Sequence, residues 1–214
     1  MSLKALFYPD VPFDTLFIPY IYKEIYFEGL YVDVLNQKKD MVIIDAGANI
    51  GIVTQYLRDY AKIVYAIEPS PEHFEALKKN VEFNKWDNVK PFQLAISNID
   101  GKATLNQSEK NRTCHSLAID YAGKKTEVIT KRFDTFFKEN NIKEVDFVKL
   151  DVEGAEEMIL RSEGFKNNVD KIKAIEIEFH FPSFPQLVKL MIELGFEARR
   201  YDSSAVVVLF TKKG

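Results

Sequence analysis

Short, wholly apolar runs alternate with helix-patterned segments along most of the chain. Such runs are typical of strands buried on both faces, as in a parallel sheet that helices cover on each side. The alternation therefore predicts an α/β fold built on a Rossmann-like, doubly wound, mostly parallel sheet. The predicted strands are Met41–Ile44, Ile63–Ile67, Phe92–Ile96, Val145–Leu150 and Ile172–Phe179.

Helices are predicted between these strands and after the last one. Pro71 suits the first turn of a helix, and Gly195 stands where a C-terminal glycine is expected. The predicted helices are Ile52–Tyr60, one that begins at Pro71, one over residues 154–160, and Phe184–Leu194.

Two further segments have patterns typical of antiparallel strands. Residues 101–131 alternate polar with apolar side chains, which predicts an insert of antiparallel strands and loops. Phe196–Tyr201 and Ala205–Phe210 predict a closing hairpin across residues 202–204.

The length of 214 residues fits one ordinary domain. We predict a single domain with an aromatic-rich lead-in at residues 1–38 and the core at residues 39–214. The lead-in is rich in Tyr and Phe, so we expect it to cover the active site or to bury a homodimer interface.

Charge and cysteine content exclude several classes of protein. The chain has 29 Lys and Arg against 32 Asp and Glu, a formal net charge of −3, which gives no basic surface for nucleic acid or anionic membrane. Cys114 is the single cysteine, so no internal disulfide forms. No apolar stretch approaches the roughly 18–20 residues of a membrane span. We therefore expect a cytoplasmic protein.

Ligands of such sheets bind beyond the carboxyl ends of the strands. The first strand ends in Asp45-Ala46-Gly47-Ala48-Asn49-Ile50-Gly51. Gly47 permits a tight turn, Asn49 tolerates positive φ, and Gly51 lets the next helix start against the strand. Glu68 follows the second strand, near the spacing of ~20 residues expected for an acid that binds a ribose. Together these residues indicate a site for an adenosine-type cofactor.

The turn does not have the Gly-x-Gly-x-x-Gly spacing that brings backbone close to a pyrophosphate. Asp45 stands where the first glycine would be, and its charge favours a cationic sulfonium or ammonium ligand. In the alternative interpretation, Asp45 and Asn49 only cap the following helix.

The sequence resembles the FkbM family of methyltransferases. The resemblance runs from about Val42 to His180. It depends on the motifs Asp45–Gly51, Tyr65-Ala-Ile-Glu-Pro-Ser70, Ala95-Ile-Ser97 and Lys149-Leu-Asp-Val-Glu-Gly-Ala-Glu156, of which the last is the most specific.

The resemblance implies S-adenosylmethionine as cofactor, O-methylation of a small molecule or sugar, and strand order 3-2-1-4-5-7-6 with the last strand antiparallel. Asn49 replaces the middle glycine of the wider methyltransferase pattern, and no acid follows the third strand. Adenine contact is therefore expected from Ala95, Ile96 and Ser97. The other expected cofactor-binding residues are Asp45, Ala46, Gly47, Asn49, Gly51, Glu68, Pro69, Ser70 and Asp151.

A hydroxyl acceptor must lose its proton, and the predicted bases follow strands four and five. The catalytic candidates are Asp151, Glu178 and His180; Glu153 and Glu176 lie beside them in sequence. His180 is preferred as base because the unperturbed pKa of histidine lies near neutrality. In the alternative interpretation, His180 is a structural histidine.

Two further features near these candidates have structural or metal-binding interpretations. Glu156 and Glu157 are interpreted as first-turn acids that complement a helix dipole. Asp151 and Glu178 could instead hold Mg²⁺, since paired carboxylates suit a hard cation, but we expect no metal.

Other function classes stay open. A methyltransferase acting on base nitrogen would usually carry Asn/Asp-Pro-Pro-aromatic after strand four, where this chain has Asp151-Val-Glu-Gly154. A non-catalytic adenosine-binding protein would bind the cofactor without turnover, and a dehydrogenase would prefer a nicotinamide dinucleotide.

Overall fold

The computed structural model describes residue 35 and residues 39–108, 115–180, 184–200 and 207–212. The strands in these ranges form a seven-stranded and a four-stranded sheet. In chain order they are β1 (Met41–Ala46), β2 (Ala61–Ile67), β3 (Val89–Phe92), β4 (Ala95–Ile96), β5 (Gly101–Gln107), β6 (His115–Ser116), β7 (Lys125–Lys131), β8 (Phe147–Leu150), β9 (Ala174–Glu178), β10 (Phe196–Arg200) and β11 (Val207–Lys212).

The larger sheet has the order β3-β2-β1-β8-β9-β11-β10. Neighbours from β3 to β9 are parallel, whereas β11 is antiparallel to both β9 and β10. Numbered within this sheet alone, the order is 3-2-1-4-5-7-6, so the predicted topology is confirmed.

The prediction for the third strand is wrong in its position. The strand of the main sheet is Val89–Phe92, and Ala95–Ile96 pairs instead with Thr130 and Lys131 of β7. Pro91 hid the strand from sequence analysis, but proline is tolerated here because β3 is an edge strand. The predicted antiparallel insert is confirmed in β5, β6 and β7, and β4, outside the insert, joins the same sheet in parallel to β7.

Helices fill the connections of the main sheet. They are α1 (Ile52–Leu57), α2 (Pro71–Phe83), α3 (Phe133–Glu139), α4 (Glu156–Leu160), α5 (Glu163–Lys166) and α6 (Phe184–Glu193), with 3₁₀ turns at Arg58–Tyr60 and Val169–Lys171. The helix predicted to run to Tyr60 thus tightens into a 3₁₀ turn after Leu57. Helix α3 was not predicted, because seven residues are too short for a clear helical period.

Successive side chains of the central strands enter two separate cores. Ile43 of β1 packs on the face covered by α1 and α2, together with Leu77 and Trp86. Ile44 packs on the opposite face, where Phe133 and Phe136 of α3 are at most 1% exposed. Because both faces are covered, the accessible polar groups collect at the carboxyl ends of the strands.

Several expectations lie outside the described residues. These are the role of residues 1–34 and 36–38 in the lead-in, Cys114, and the hairpin connection at residues 202–204. Leu35, which is described, is 1% exposed and packs in the core beside α1 and α2. In the part of the chain that the structure describes, every helix is too short or too polar to cross a membrane.

Candidate active site

The turn after β1 is pressed against the turn after β8. Gly47 has a φ of +86°, and a Cβ at this position would lie 1.7 Å from the carbonyl oxygen of Asp151. The N–H groups of Gly47 and Ala48 both donate to the carbonyl of Ile67 at 3.0 Å. Only glycine fits this approach. The turn therefore fixes backbone of β1, β2 and β8 together at one edge of the sheet.

The other residues of this turn lie as the sequence predicts. Asn49 adopts a φ of +51°. Gly51 precedes α1 with a φ of +96°, and a Cβ there would lie 2.8 Å from Leu77 of α2. Ala46 ends β1 and is buried. The turn thus brings α1 and α2 into close contact beside the strand ends.

Glu68 follows β2, and two backbone groups hold its carboxylate. Oε2 accepts a hydrogen bond from the N–H of Asn49, and Oε1 accepts one from the N–H of Ser70, both at 2.8 Å. Burial raises the pKa of Glu68 to about 7, although these two bonds lower it. Each carboxylate oxygen has a second lone pair, so the group can still accept hydroxyl protons. Pro69 between them is partly buried.

The segment expected to contact adenine follows β3, whose last residue is bound to Glu68. The N–H of Glu68 donates to the carbonyl of Phe92 at the end of β3, and Ala95, Ile96 and Ser97 follow. All three are at most 6% exposed, and Ile96 packs in the hydrophobic core. This segment therefore lies where the two sheets meet.

The inserted sheet also reaches the Glu68 side of the site. The ring of His115 in β6 stacks on the ring of His73 in α2, with centroids 4.4 Å apart. The Nδ1 atom of His73 lies 3.9 Å from Glu68 Oε1, and Gln107 Nε2 lies 3.5 Å from Ser70 Oγ. His115 therefore lies against the start of α2.

Asp45 is wholly buried and faces inward from the turn. Thr54 Oγ1 donates to its Oδ2 at 2.6 Å, and Lys149 Nζ lies 3.7 Å from its Oδ1. Burial raises the pKa of Asp45, whereas Lys149 and Thr54 lower it. The structure therefore presents Asp45 to its protein partners rather than to the open crevice.

A cluster of ionisable groups lies beyond β8 and β9. His180 Nε2 lies 3.6 Å from Glu153 Oε2, 3.7 Å from Glu178 Oε1 and 4.0 Å from Asp151 Oδ1. The catalytic candidates Asp151, Glu178 and His180 are thus brought together. Glu176, two residues before Glu178 on β9, is buried and pairs with Lys149 of β8 in the strand register.

These carboxylates alter the chemistry of the imidazole. Burial would lower the pKa of His180, but a hydrogen bond with Glu156 and the charges of Glu156, Asp151 and Glu153 raise it to about 9. Asp151 and burial together raise the pKa of Glu178 to about 7. The imidazole is therefore protonated at neutral pH. His180 does not have the near-neutral pKa for which it was preferred as the general base.

Glu156 is a first-turn acid of α4, as predicted, and it also contacts His180. It is 1% exposed, and its Oε1 accepts from the N–H of Gly154 at 3.0 Å. The same atom lies 3.0 Å from His180 Nδ1. Glu156 therefore fixes the orientation of His180, and the family motif around it was the only signal available in the sequence.

A metal site, the alternative interpretation of Asp151 and Glu178, could also include His180. Asp151, Glu178 and His180 each offer one ligand atom, and these atoms lie within 4.8 Å of one another. Asp151 also pairs with Lys149, whose Nζ is 3.0 Å from Oδ2. A divalent ion here would therefore compete with cationic groups of the protein, and metal independence stays a prediction.

The doubly wound sheet, the compressed turn and the buried acid after β2 define a Rossmann-like α/β protein, a class in which ligands bind beyond the carboxyl ends of the strands. Residues 45–198 match the Methyltransferase FkbM domain, and the chain belongs to this family. The resemblance predicted from the sequence is thus confirmed.

Relatives support this membership. The chain is 30% identical to Methyltransferase sdnD of Sordaria araneosa, with 85% of this chain and 83% of that protein covered. It is 26% identical to 2-O-methyltransferase NoeI of Sinorhizobium fredii (strain NBRC 101917 / NGR234), with 68% and 65% covered.

The fold is similar to that of solved methyltransferases. Magnesium protoporphyrin IX methyltransferase (ChlM) from Synechocystis PCC 6803, solved with bound SAM, superimposes with a TM-score of 0.56 over 98% of this chain and 89% of that one. The sequence identity is 11%, so this likeness concerns the fold alone.

Proposed function

We propose that this protein transfers a methyl group from S-adenosylmethionine to a hydroxyl oxygen of a small molecule or sugar. The observation that carries the proposal is Glu68, a buried carboxylate that two backbone N–H groups hold beside the turn at Gly47. A ribose offers two adjacent hydroxyl donors to such a carboxylate. Membership of the FkbM family supports methyl transfer.

The residues present fit this cofactor along the strand ends. Glu68, Pro69 and Ser70 would hold the ribose, and the segment 95–97 would hold adenine. Asp151, on the other side of β1, would face the amino-acid end. Gly47 lies between Glu68 and Asp151, and because it has no side chain the cofactor could pass over its backbone.

When bound, the cofactor would supply a methyl group from a positively charged sulfur. The C–S bond would break as the new C–O bond forms, with the thioether as leaving group. The protein must align the acceptor oxygen and exclude water. We assign uptake of the hydroxyl proton to a carboxylate of the cluster, Asp151 or Glu178, which lies beside the protonated imidazole of His180. Glu156 holds the ring of His180 in place within this cluster.

Two features support a hydroxyl on a small molecule or sugar. The acceptor end carries several carboxylates, which bind hydroxyl donors and repel phosphates. The relative NoeI is named a 2-O-methyltransferase. The net charge of −3 disfavours a nucleic-acid acceptor.

The class of ligand is tested by thermal shift with S-adenosylmethionine, S-adenosylhomocysteine and NAD. A ligand at about 100 times its Kd adds ~2.7 kcal/mol to the free energy of unfolding, which raises the Tm of a chain this long by roughly 5–10 °C. We expect the first two ligands to give this shift. A shift with NAD alone would refute the proposal.

The acceptor is then tested by release of S-adenosylhomocysteine. Polyols and sugars are compared with small carboxylic acids, amines and RNA. Turnover with RNA alone would replace the small-molecule proposal, and cofactor binding without turnover on any acceptor would favour a non-catalytic role.

A further inference from the structure

Lys149 is a buried cation between the turns after β1 and β8, and the proposed chemistry has not used it. Its side chain is 8% exposed. Its Nζ donates to Asp151 Oδ2 at 3.0 Å and to the carbonyl of Gly47 at 3.3 Å. It also lies 3.7 Å from Asp45 Oδ1, a buried atom that accepts no hydrogen bond from the described residues. One ammonium thus contacts both turns.

The strand order explains how Lys149 reaches these groups. Lys149 lies on β8 directly opposite Asp45 on β1 in the strand register. Both side chains therefore lie on the same face of the sheet, one step before the strands end. From there the lysine extends to the carbonyl of Gly47 in one turn and to the carboxylate of Asp151 in the other.

The geometry places Lys149 at one end of the cofactor crevice. Glu68 stands beyond β2, on one side of β1, and Lys149 and Asp151 stand on the other side. A ligand held through its ribose at Glu68 therefore extends over Gly47 to Asp151. The amino-acid end of the cofactor carries both an ammonium and a carboxylate. Its binding therefore depends on the local charge, which Lys149 changes by neutralising Asp45 and Asp151.

We propose that Lys149 is a positioning residue for the amino-acid end of the cofactor, an inference that rests on the proposed function. Its ammonium draws the carbonyl of Gly47 and the carboxylate of Asp151 to one point. Without this cation, Asp45 and Asp151 would lose their shared counter-charge, and the carbonyl of Gly47 would lose a hydrogen-bond donor. Because Lys149 is buried, it acts through these neighbours.

The test compares two ligands by calorimetry. S-adenosylhomocysteine has the amino-acid end, and adenosine does not. Lys149→Met should weaken binding of S-adenosylhomocysteine about 10-fold or more, since charge-assisted hydrogen bonds are the strong ones. Adenosine affinity should change less than about 2-fold by the same reasoning, because its contacts lie at Glu68. Lys149→Arg, which keeps the charge, should recover part of the preference.

Lys173→Met is the matched control. Lys173 also pairs with two carboxylates, those of Glu144 and Asp146, but at the amino ends of β8 and β9. The Lys173→Met variant should bind S-adenosylhomocysteine and adenosine with wild-type affinity. Equal losses for both ligands in Lys149→Met would mean general damage and would overturn the proposal, as would full affinity for S-adenosylhomocysteine.

A second variant covers the case in which Lys149→Met does not fold. Lys149→Met combined with Asp45→Asn removes both members of a buried charge pair. This double variant should fold and should still lose its preference for S-adenosylhomocysteine over adenosine. Wild-type preference in the double variant would overturn the role of Lys149. Failure of the wild-type protein to bind either ligand would instead refute the proposed function.

Discussion

Cofactor affinity should depend on pH through Glu68. Its carboxyl has a pKa of about 7, so it is mostly ionised at pH 8 and mostly protonated at pH 6. Only the ionised form can accept hydrogen bonds from the ribose with both oxygens while also accepting from Asn49 and Ser70. Affinity should therefore fall as the pH falls.

The magnitude follows from the titration of one group. If the ionised form alone binds, the apparent Kd scales as one plus the ratio of protonated to ionised Glu68. That factor rises by about 10-fold from pH 8 to pH 6, equivalent to ~1.4 kcal/mol of binding free energy. Binding at pH 6 should also release about 0.9 proton, against about 0.1 proton at pH 8.

Isothermal titration calorimetry with S-adenosylhomocysteine measures both quantities, using buffers with different enthalpies of ionisation to count protons. Glu68→Gln should bind more weakly and lose the 10-fold dependence, because glutamine does not titrate. Glu75→Gln, on the exposed part of α2, serves as the control and should behave as wild type. A wild-type affinity independent of pH would refute the reasoning, as would a full pH dependence retained in Glu68→Gln.

Three further predictions concern the acceptor end, the turn and metal dependence. His180→Ala should lower kcat while the Kd for S-adenosylhomocysteine stays unchanged, and an unaltered kcat would make the histidine structural. Gly47→Ala should unfold at lower urea than Gly195→Ala, because both have a φ near +90° but only the former forces a Cβ into the carbonyl of Asp151. Equal losses would mean that backbone conformation alone, worth about 1–2 kcal/mol, sets the cost. EDTA should leave turnover unchanged; loss of turnover with recovery on adding Mg²⁺ would assign an ion to Asp151, Glu178 and His180.

Local patterns were sufficient to predict the α/β class and most of the strands, whereas the strand order was implied by the family resemblance. The apolar runs that became β1 and β2 are bounded by polar turns, and their alternation with helices leaves few topologies. The position of β3 was mispredicted because Pro91 disfavours a strand unless the strand lies at an edge, and edge position depends on the whole sheet.

Contacts within the site were harder to predict, since they join residues far apart in sequence. The sequence placed Asn49 and Glu68 at the same edge of the sheet, because they follow adjacent strands, but the hydrogen bond between them was not predicted. Lys149 looked like one more residue of a motif, and its buried role depends on the register between β1 and β8. The raised pKa of His180 depends on Glu156, Asp151 and Glu153. These three follow β8 whereas His180 follows β9, so only the fold determines how close they lie.

The entrance and exit of the inserted sheet lie side by side, because Ala95 and Ile96 pair with Thr130 and Lys131. A segment whose ends meet in this way can be lengthened, shortened or exchanged for that of a relative without moving the strands that it joins. Since its outer end contacts the start of α2 through His115, such exchanges would remodel one wall of the crevice independently of the cofactor turn.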